Sequence, residues 1–212
     1  LENLGTFQFG AAGGGGGNQV VGNTPLLFYS RRIGLNNNRE VPILAGGRLS
    51  GRLGRYSFGA INIGTQDTPV ANAPGTNFSV LRLRRDVLRR SSIGAMATHR
   101  SVTQTGTGSN TAYGVDGAFQ FFQGVTINTY WAKTDTTNRR GDDTSYRGQF
   151  EYAADRYGLT VERLVIGRNF NPEVGFLRRT DIADNSVQAR FSPRPASIAW
   201  VRRFVWNGSL QY

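Results

Sequence analysis

Apolar and polar side chains alternate with a period of two along this chain, in runs of about ten residues. In the clearest run Tyr113, Val115, Phe119 and Phe121 occupy alternate positions, and residues 125–132 repeat the pattern after a short turn. Successive side chains of a β-strand point to opposite faces, so each run predicts a strand with one apolar face. Helical periodicity is weak and 28 of the 212 residues are glycine, so the chain is predicted to be all-β.

The alternating runs pair into five hairpins, which predicts about ten strands. They pair as residues 45–53 with 56–65, 77–85 with 91–99, 113–122 with 125–132, 146–154 with 157–162, and 185–191 with 198–206. Short turns at one end alternate with longer Gly-, Asn-, Thr- and Asp-rich loops at the other, an asymmetry typical of barrels in bacterial outer membranes. The predicted fold class is therefore an antiparallel up-and-down outer-membrane-type β-barrel, of which this chain supplies a part.

The chain divides into two regions on this interpretation. Residues 41–212 are predicted to carry the strands, and residues 1–40, with a glycine run at 13–17, to form a loop or a segment inside the lumen. Residues 169–179 contain a proline, a glutamate and two arginines, and we expect an ordered loop that folds inward or across the barrel mouth and is held by Glu–Arg pairs. We also expect the chain to be a segment of a longer polypeptide.

The barrel hypothesis assigns the two faces of the strands. The polar face is expected to line the lumen, with Arg48, Arg52, Arg82, Arg84, Asp116, Arg147, Glu151 and Glu162. The apolar face is expected to contact lipid, with Tyr113, Val115, Phe119, Phe121, Ile127, Trp131, Phe150 and Tyr152. Aromatic residues near the strand ends match the aromatic girdles of such barrels. The same alternation also fits a soluble sandwich or barrel in which the apolar residues form the core.

The composition excludes several kinds of site. Cysteine is absent, which excludes disulfides, thiolate metal sites and cysteine nucleophiles. The single histidine, His99, excludes multi-histidine metal sites and argues against a serine triad; it lies at a strand end, where an interface position is expected. The formal charge is +11, but the arginines are scattered over strands and turns, so nucleic-acid binding is not predicted. No apolar run is long enough for a transmembrane helix, which leaves barrel strands of about 9–11 residues open.

Three carboxylates share the predicted inner face, which makes an enzymatic function an alternative to consider. Asp116, Glu151 and Glu162 would suit a glycoside hydrolase only if two of them flanked a cleft. Inward carboxylates in barrels usually pair with arginine, and we favour that interpretation here. A positive lumen wall that favours anions is the functional alternative to simple pairing.

Two loop features carry weaker hypotheses. Asp135, Asp142 and Asp143 could bind calcium, although their spacing matches no defined loop and solvated charge is favoured. Arg139 and Arg140 could bind lipopolysaccharide phosphates in a bidentate manner, with a solvated loop as the simpler interpretation.

Several sequence blocks resemble one bacterial protein family of unknown function, DUF5916. The blocks occur in the family's order at residues 1–3, 28–34, 43–51, 77–82, 89–94, and 169–176 with 178–179. The resemblance extends from residue 1 to about residue 181 and implies an outer-membrane-type β-barrel region. In the family this region follows an N-terminal domain similar to family 9 carbohydrate-binding modules, which this chain lacks.

These arguments together predict a non-enzymatic outer-membrane β-barrel protein of a bacterium. It would act in transport or as a surface anchor for a carbohydrate-binding module, with no cofactor and no bound metal. The expected partners are the lipid bilayer and lipopolysaccharide, with a saccharide ligand and a remaining barrel segment or partner chain as further candidates. The alternatives are a soluble β domain that binds glycans and a membrane-associated glycoside hydrolase.

Overall fold

Ten antiparallel strands in one sheet form the body of the protein. The computed structural model describes residues 4–10, 23–36, 39–195 and 202–212. The ten strands are β3 (Ile43–Leu53), β4 (Tyr56–Thr65), β5 (Thr76–Leu88), β6 (Ser91–Arg100), β7 (Asn110–Phe121), β8 (Val125–Thr136), β9 (Thr144–Ala153), β10 (Tyr157–Ile166), β11 (Ile182–Phe191) and β12 (Trp206–Gln211). Each strand pairs with its neighbours in sequence, so the topology is up-and-down. The predicted all-β antiparallel class is confirmed.

The remaining regular elements are short. A two-residue ladder joins β1 (Leu35–Asn36) to β2 (Arg39–Glu40). Three single-turn 3₁₀ helices span Leu4–Phe7, Ser30–Arg32 and Pro69–Ala71. None of the helices among the described residues has the length and apolar character needed to cross a membrane.

The first four predicted hairpins are confirmed, and several strands are longer than predicted. The ladder between β7 and β8 extends to the pair Asn110↔Thr136. Both residues lie in polar stretches for which the sequence predicts loops. These polar residues remain in the ladder because they satisfy each other: the Asn110 side-chain amide donates to the Thr136 hydroxyl at 2.7 Å. Both residues are buried, and buried polar groups are tolerated when they are hydrogen-bonded.

The prediction for the second strand of the fifth hairpin was wrong. β11 pairs with β12, in the register Phe191↔Trp206, instead of with residues 198–206. Residues 196–201 lie outside the described residues, and residues 202–205 are not in a strand. The Phe204 N–H donates to the Pro193 carbonyl at 3.1 Å, in the same register as Phe191↔Trp206. Pro193 has no N–H to return the bond, so the regular ladder stops at Phe191. The rings of Phe191 and Trp206 stack at 5.6 Å, a cross-strand contact that supports the observed register.

The sheet is open. Among the described strands, β3 and β12 each have a neighbour on one side only. All six residues of β12 are exposed, as are ten of the eleven residues of β3. Two strand edges therefore present unpaired backbone groups.

The ladder registers define two faces that continue across all ten strands. We call the face that carries Arg82, Asp116 and Arg147 the inner face, and the face that carries Val115 and Trp131 the outer face. Residues directly opposite each other in an antiparallel ladder lie on the same face, so each register transfers the assignment to the next strand. Short turns lie at one end of the sheet and longer loops at the other, as predicted, except that residues 192–205, at the short-turn end, form a long connection between β11 and β12.

Two peripheral segments cover part of the inner face. The first comes from the N-terminal region and contributes Phe7, Phe9, Leu27 and Phe28; the second contributes Phe170 and Val174. They pack against buried inner-face residues of the sheet, namely Ile61, Phe78, Val80, Met96, Ala112, Tyr130, Ala132, Leu164 and Ile166. The hydrophobic core is therefore on the inner face, near the long-loop end.

Replacing Phe170 with alanine should destabilise the protein by about 3–5 kcal/mol, because its fully buried ring fills this core. Urea unfolding of the purified protein measures the loss. Phe122→Ala is the matched control, because this ring is 91% exposed; its cost should stay below about 1 kcal/mol. Equal losses for the two variants would contradict the described packing.

Candidate functional site

The structure separates the predicted polar and apolar residues cleanly. All eight residues predicted for the lumen lie on the inner face, and all eight predicted for lipid lie on the outer face. Whether these faces meet a lumen and lipid remains a prediction. Their placement on opposite sides of one sheet is a property of the fold.

Two buried ion pairs lie at the centre of the inner face. Arg82 pairs with Asp116 through its two terminal guanidinium nitrogens, Nη1 to Oδ1 and Nη2 to Oδ2, the second at 2.8 Å. Arg147 binds Glu162 in the same bidentate way, at 3.0 and 2.8 Å, and Gln149 adds a donor at 3.1 Å. The arginine side chains are 3% and 9% exposed. Such forks are strong because planar guanidinium geometry matches a carboxylate.

Gly10 connects the two ion pairs. Its N–H donates to Asp116 at 3.5 Å, and its carbonyl accepts from Arg147 at 3.4 Å. Its φ is +64°, a left-handed conformation that glycine adopts without penalty. A Cβ at this position would approach the Tyr130 ring to 2.6 Å, so glycine is also required for space. The N-terminal segment is thereby held to both pairs.

The other predicted inner-face charges are more open. Arg52 pairs with Asp86 at 2.9 Å, and Arg84 reaches the same carboxylate at 4.0 Å. Arg48 lies over the Phe7 ring at 5.4 Å. Glu151 is partly buried and lies within no described salt bridge.

The loop at residues 167–181 folds inward. The Leu26 and Phe176 backbones exchange two hydrogen bonds of 2.9 Å, which joins this loop to the N-terminal segment. Glu173 is buried, receives the Gln104 N–H at 2.9 Å and lies 3.5 Å from Arg100. The Glu–Arg contact that was expected to hold this loop is thus made with a strand, β6.

Asn110 fastens the same loop to the sheet. Its side-chain amide donates to the Asn171 carbonyl at 2.8 Å, and its side-chain oxygen accepts the Glu173 N–H at 3.1 Å. The Thr134 hydroxyl accepts the Asn171 N–H at 3.0 Å. Asn110 is fully buried, and sequence reasoning missed it because it sits in a stretch that reads as polar loop.

Among the described residues, two of the three carboxylates considered for catalysis, Asp116 and Glu162, are held by arginines, and Glu151 is not. Asp116 and Glu162 each accept a bidentate guanidinium, which is the pairing favoured from the sequence. The calcium hypothesis gains no support: Asp135 lies in β8, and the described residues contain no group of three metal-binding side chains. Asp143 instead lies 3.8 Å from Lys133. His99 is at the end of β6, where its Nδ1 is 2.9 Å from the Thr111 hydroxyl.

The outer face is broadly apolar and uncovered. Large side chains in successive strands are exposed, such as Leu81 at 59%, Val115 at 55% and Trp131 at 42%. A groove of about 930 Å³ crosses this face beside Gly117 and Gly148. Contiguous apolar surface of this kind indicates an interaction with lipid or with a protein partner.

No protein-family model, curated protein or solved structure matches this chain.

Removing one member of a buried pair should be costly. Arg82→Met leaves the Asp116 carboxylate without its guanidinium, and the free energy of unfolding in urea should fall by about 3–5 kcal/mol. The double variant Arg82→Met, Asp116→Leu should recover most of the loss, because no uncompensated charge remains.

The exposed pair of Arg168 and Asp181 supplies the control for this prediction. Its side chains are 71% and 59% exposed, and Arg168→Met should cost less than about 1 kcal/mol. A double variant at Arg82 and Asp116 that is no more stable than the single variant would refute the account of the inner face.

Proposed function

We propose that the chain forms part of the wall of a bacterial outer-membrane β-barrel and has no catalytic role. The observation that carries the proposal is the outer face: it is largely apolar across the ten strands, with Arg85 and Arg163 as charged exceptions beside the groove, while the buried ion pairs lie on the opposite side. Apolar-out, polar-in alternation along every strand is what a membrane barrel requires.

The strand lengths support a bilayer. Strands β3 to β11 contain 10 to 13 residues each. A tilted strand of about 9–11 residues spans the hydrocarbon core. A soluble sandwich would need a second layer over the outer face, and the described residues place none there. This argues against the soluble glycan-binding alternative.

The proposal requires further strands between β12 and β3. Lipid offers no hydrogen-bond partners to the backbone, so both open edges must be paired within the membrane. Those strands would come from a remaining segment of the polypeptide or from a partner chain.

The inner face favours an anchoring role over open transport. Phe9, Phe170 and Val174 occupy space that a water-filled pore would need, and they form a dry core with the wall. The bidentate pairs neutralise much of the positive wall on which anion selectivity would depend. The DUF5916 resemblance suggests that the barrel anchors a carbohydrate-binding module at the cell surface.

Tryptophan quenching tests the orientation of the outer face. The single-tryptophan variant Trp200→Phe, Trp206→Phe leaves Trp131 as the reporter, and reconstitution in vesicles with brominated acyl chains should quench its fluorescence strongly. A soluble quencher such as acrylamide should be much less effective. Stronger quenching of Trp131 by acrylamide than by the brominated acyl chains would contradict the membrane proposal.

A charge near the middle of the outer face should impair insertion. Val115 lies in the central part of β7, and Val115→Arg should cost roughly 2–4 kcal/mol when the urea-unfolded protein is folded into phosphatidylcholine vesicles. Thr107→Arg places the same charge in an exposed loop and should cost little. Similar folding energies for the two variants would contradict the assigned membrane face.

A further inference from the structure

The connections at the two ends of the sheet differ in charge. The connections at the short-turn end, residues 54–55, 89–90, 122–124, 154–156 and 192–205, contain seven arginines and one aspartate. The long loops at the other end, residues 66–75, 101–109, 137–143 and 167–181, contain five arginines and five carboxylates. We call the seven arginines the arginine rim: Arg55, Arg89, Arg90, Arg156, Arg194, Arg202 and Arg203.

Most of the arginine rim is available to bind. All seven residues are exposed, and only Arg194 forms a salt bridge with a described carboxylate, Asp155 at 2.7 Å. The guanidinium groups of Arg82 and Arg147, in contrast, are buried in bidentate pairs on the inner face. Internal pairing therefore does not account for the charge at this end.

Part of the rim is built as a compact patch. The Ser192 N–H donates to the Arg156 carbonyl at 2.7 Å, and the Phe204 N–H donates to the Pro193 carbonyl at 3.1 Å. These bonds bring the turn at 154–156 together with both described parts of the 192–205 connection. Arg156, Arg202 and Arg203 are consequently gathered at one corner of the sheet.

An aromatic stack adjoins this corner. The rings of Tyr157, Phe191, Trp206 and Phe204 follow one another with centroid separations of 5.3, 5.6 and 5.6 Å. The first three belong to the outer face, and Tyr157 and Trp206 are more than half exposed. Exposed aromatic rings suit the headgroup level of a bilayer, where one side is apolar and the other is wet.

We infer that the arginine rim binds the phosphates of anionic glycerophospholipids in the leaflet at the short-turn end. The aromatic stack would sit at the level of the headgroups, and guanidinium forks just beyond it would reach phosphate oxygens in bidentate contacts. This inference rests on the proposed membrane position of the outer face. It assigns the basic charge of the chain to lipid, because the rim follows the edge of an apolar surface that a nucleic acid or an acidic protein would leave exposed.

The relative quenching of Trp206 by two brominated lipids tests the inference. In the full chain carrying Trp131→Phe and Trp200→Phe, Trp206 is the only tryptophan and reports on lipids beside the patch. Vesicles contain brominated phosphatidylglycerol with plain phosphatidylcholine, or the opposite labelling. We expect phosphatidylglycerol to be enriched around Trp206 by at least about threefold, and the enrichment to fall as salt is added.

Matched variants assign the effect to the rim. Arg156→Gln, Arg202→Gln and Arg203→Gln together should remove most of the enrichment, whereas the corresponding lysine variant should keep only part of it, because an ammonium group retains the charge but forms no bidentate contact. Arg139→Gln, Arg140→Gln and Arg168→Gln remove the same charge from the long loops and should leave the enrichment unchanged.

Two results would overturn the inference while leaving the membrane proposal intact. One is equal quenching of Trp206 by the two brominated lipids, and the other is an enrichment that the glutamine variant at the patch does not lower. Absence of quenching at both Trp131 and Trp206 would overturn the proposed function together with the inference.

Discussion

The two-residue period of the strands constrains everything else in this molecule. Nine antiparallel ladders transmit one assignment of faces from β3 to β12, so a slip of one residue in any strand would move its apolar side chains inward and its charges outward. The chemistry of each face is thus a collective property.

Burying the centre of the inner face imposes a second requirement. Once Phe9 and Gly10 cover the wall, Arg82 and Arg147 lose access to water, and an unpaired guanidinium there would be costly. Asp116 and Glu162 supply the countercharges, and the Gly10 backbone bonds to a member of each pair. The covering segment and the ion pairs therefore depend on each other. The segment excludes water from the ion pairs, and the ion pairs bind the segment through the Gly10 backbone.

The connections between strands differ between the two ends of the sheet. At the long-loop end the chain folds back over the inner face, and Asn110 and Glu173 satisfy the backbone groups that this buries. At the short-turn end four reversals are tight and the fifth, residues 192–205, is long, and exposed arginines lie next to stacked aromatic rings. The proposed membrane position gives both ends a role, one facing the cell surface and the other a phospholipid leaflet.

The amino-acid sequence by itself determined the first four hairpins, their order and the face of each predicted residue, because a period of two is a local property that side-chain chemistry reveals directly. It also indicated that residues 169–179 form an ordered loop that folds inward or across the barrel mouth, and that carboxylates on the inner face pair with arginine, as Asp116 and Glu162 do. Only the tertiary structure decided which pairs form, that Gly10 joins them, that Asn110 is buried in a loop-like stretch, and that β11 pairs with Trp206–Gln211. These features depend on contacts between residues as far as 137 positions apart, and no local pattern specifies which distant partner is available.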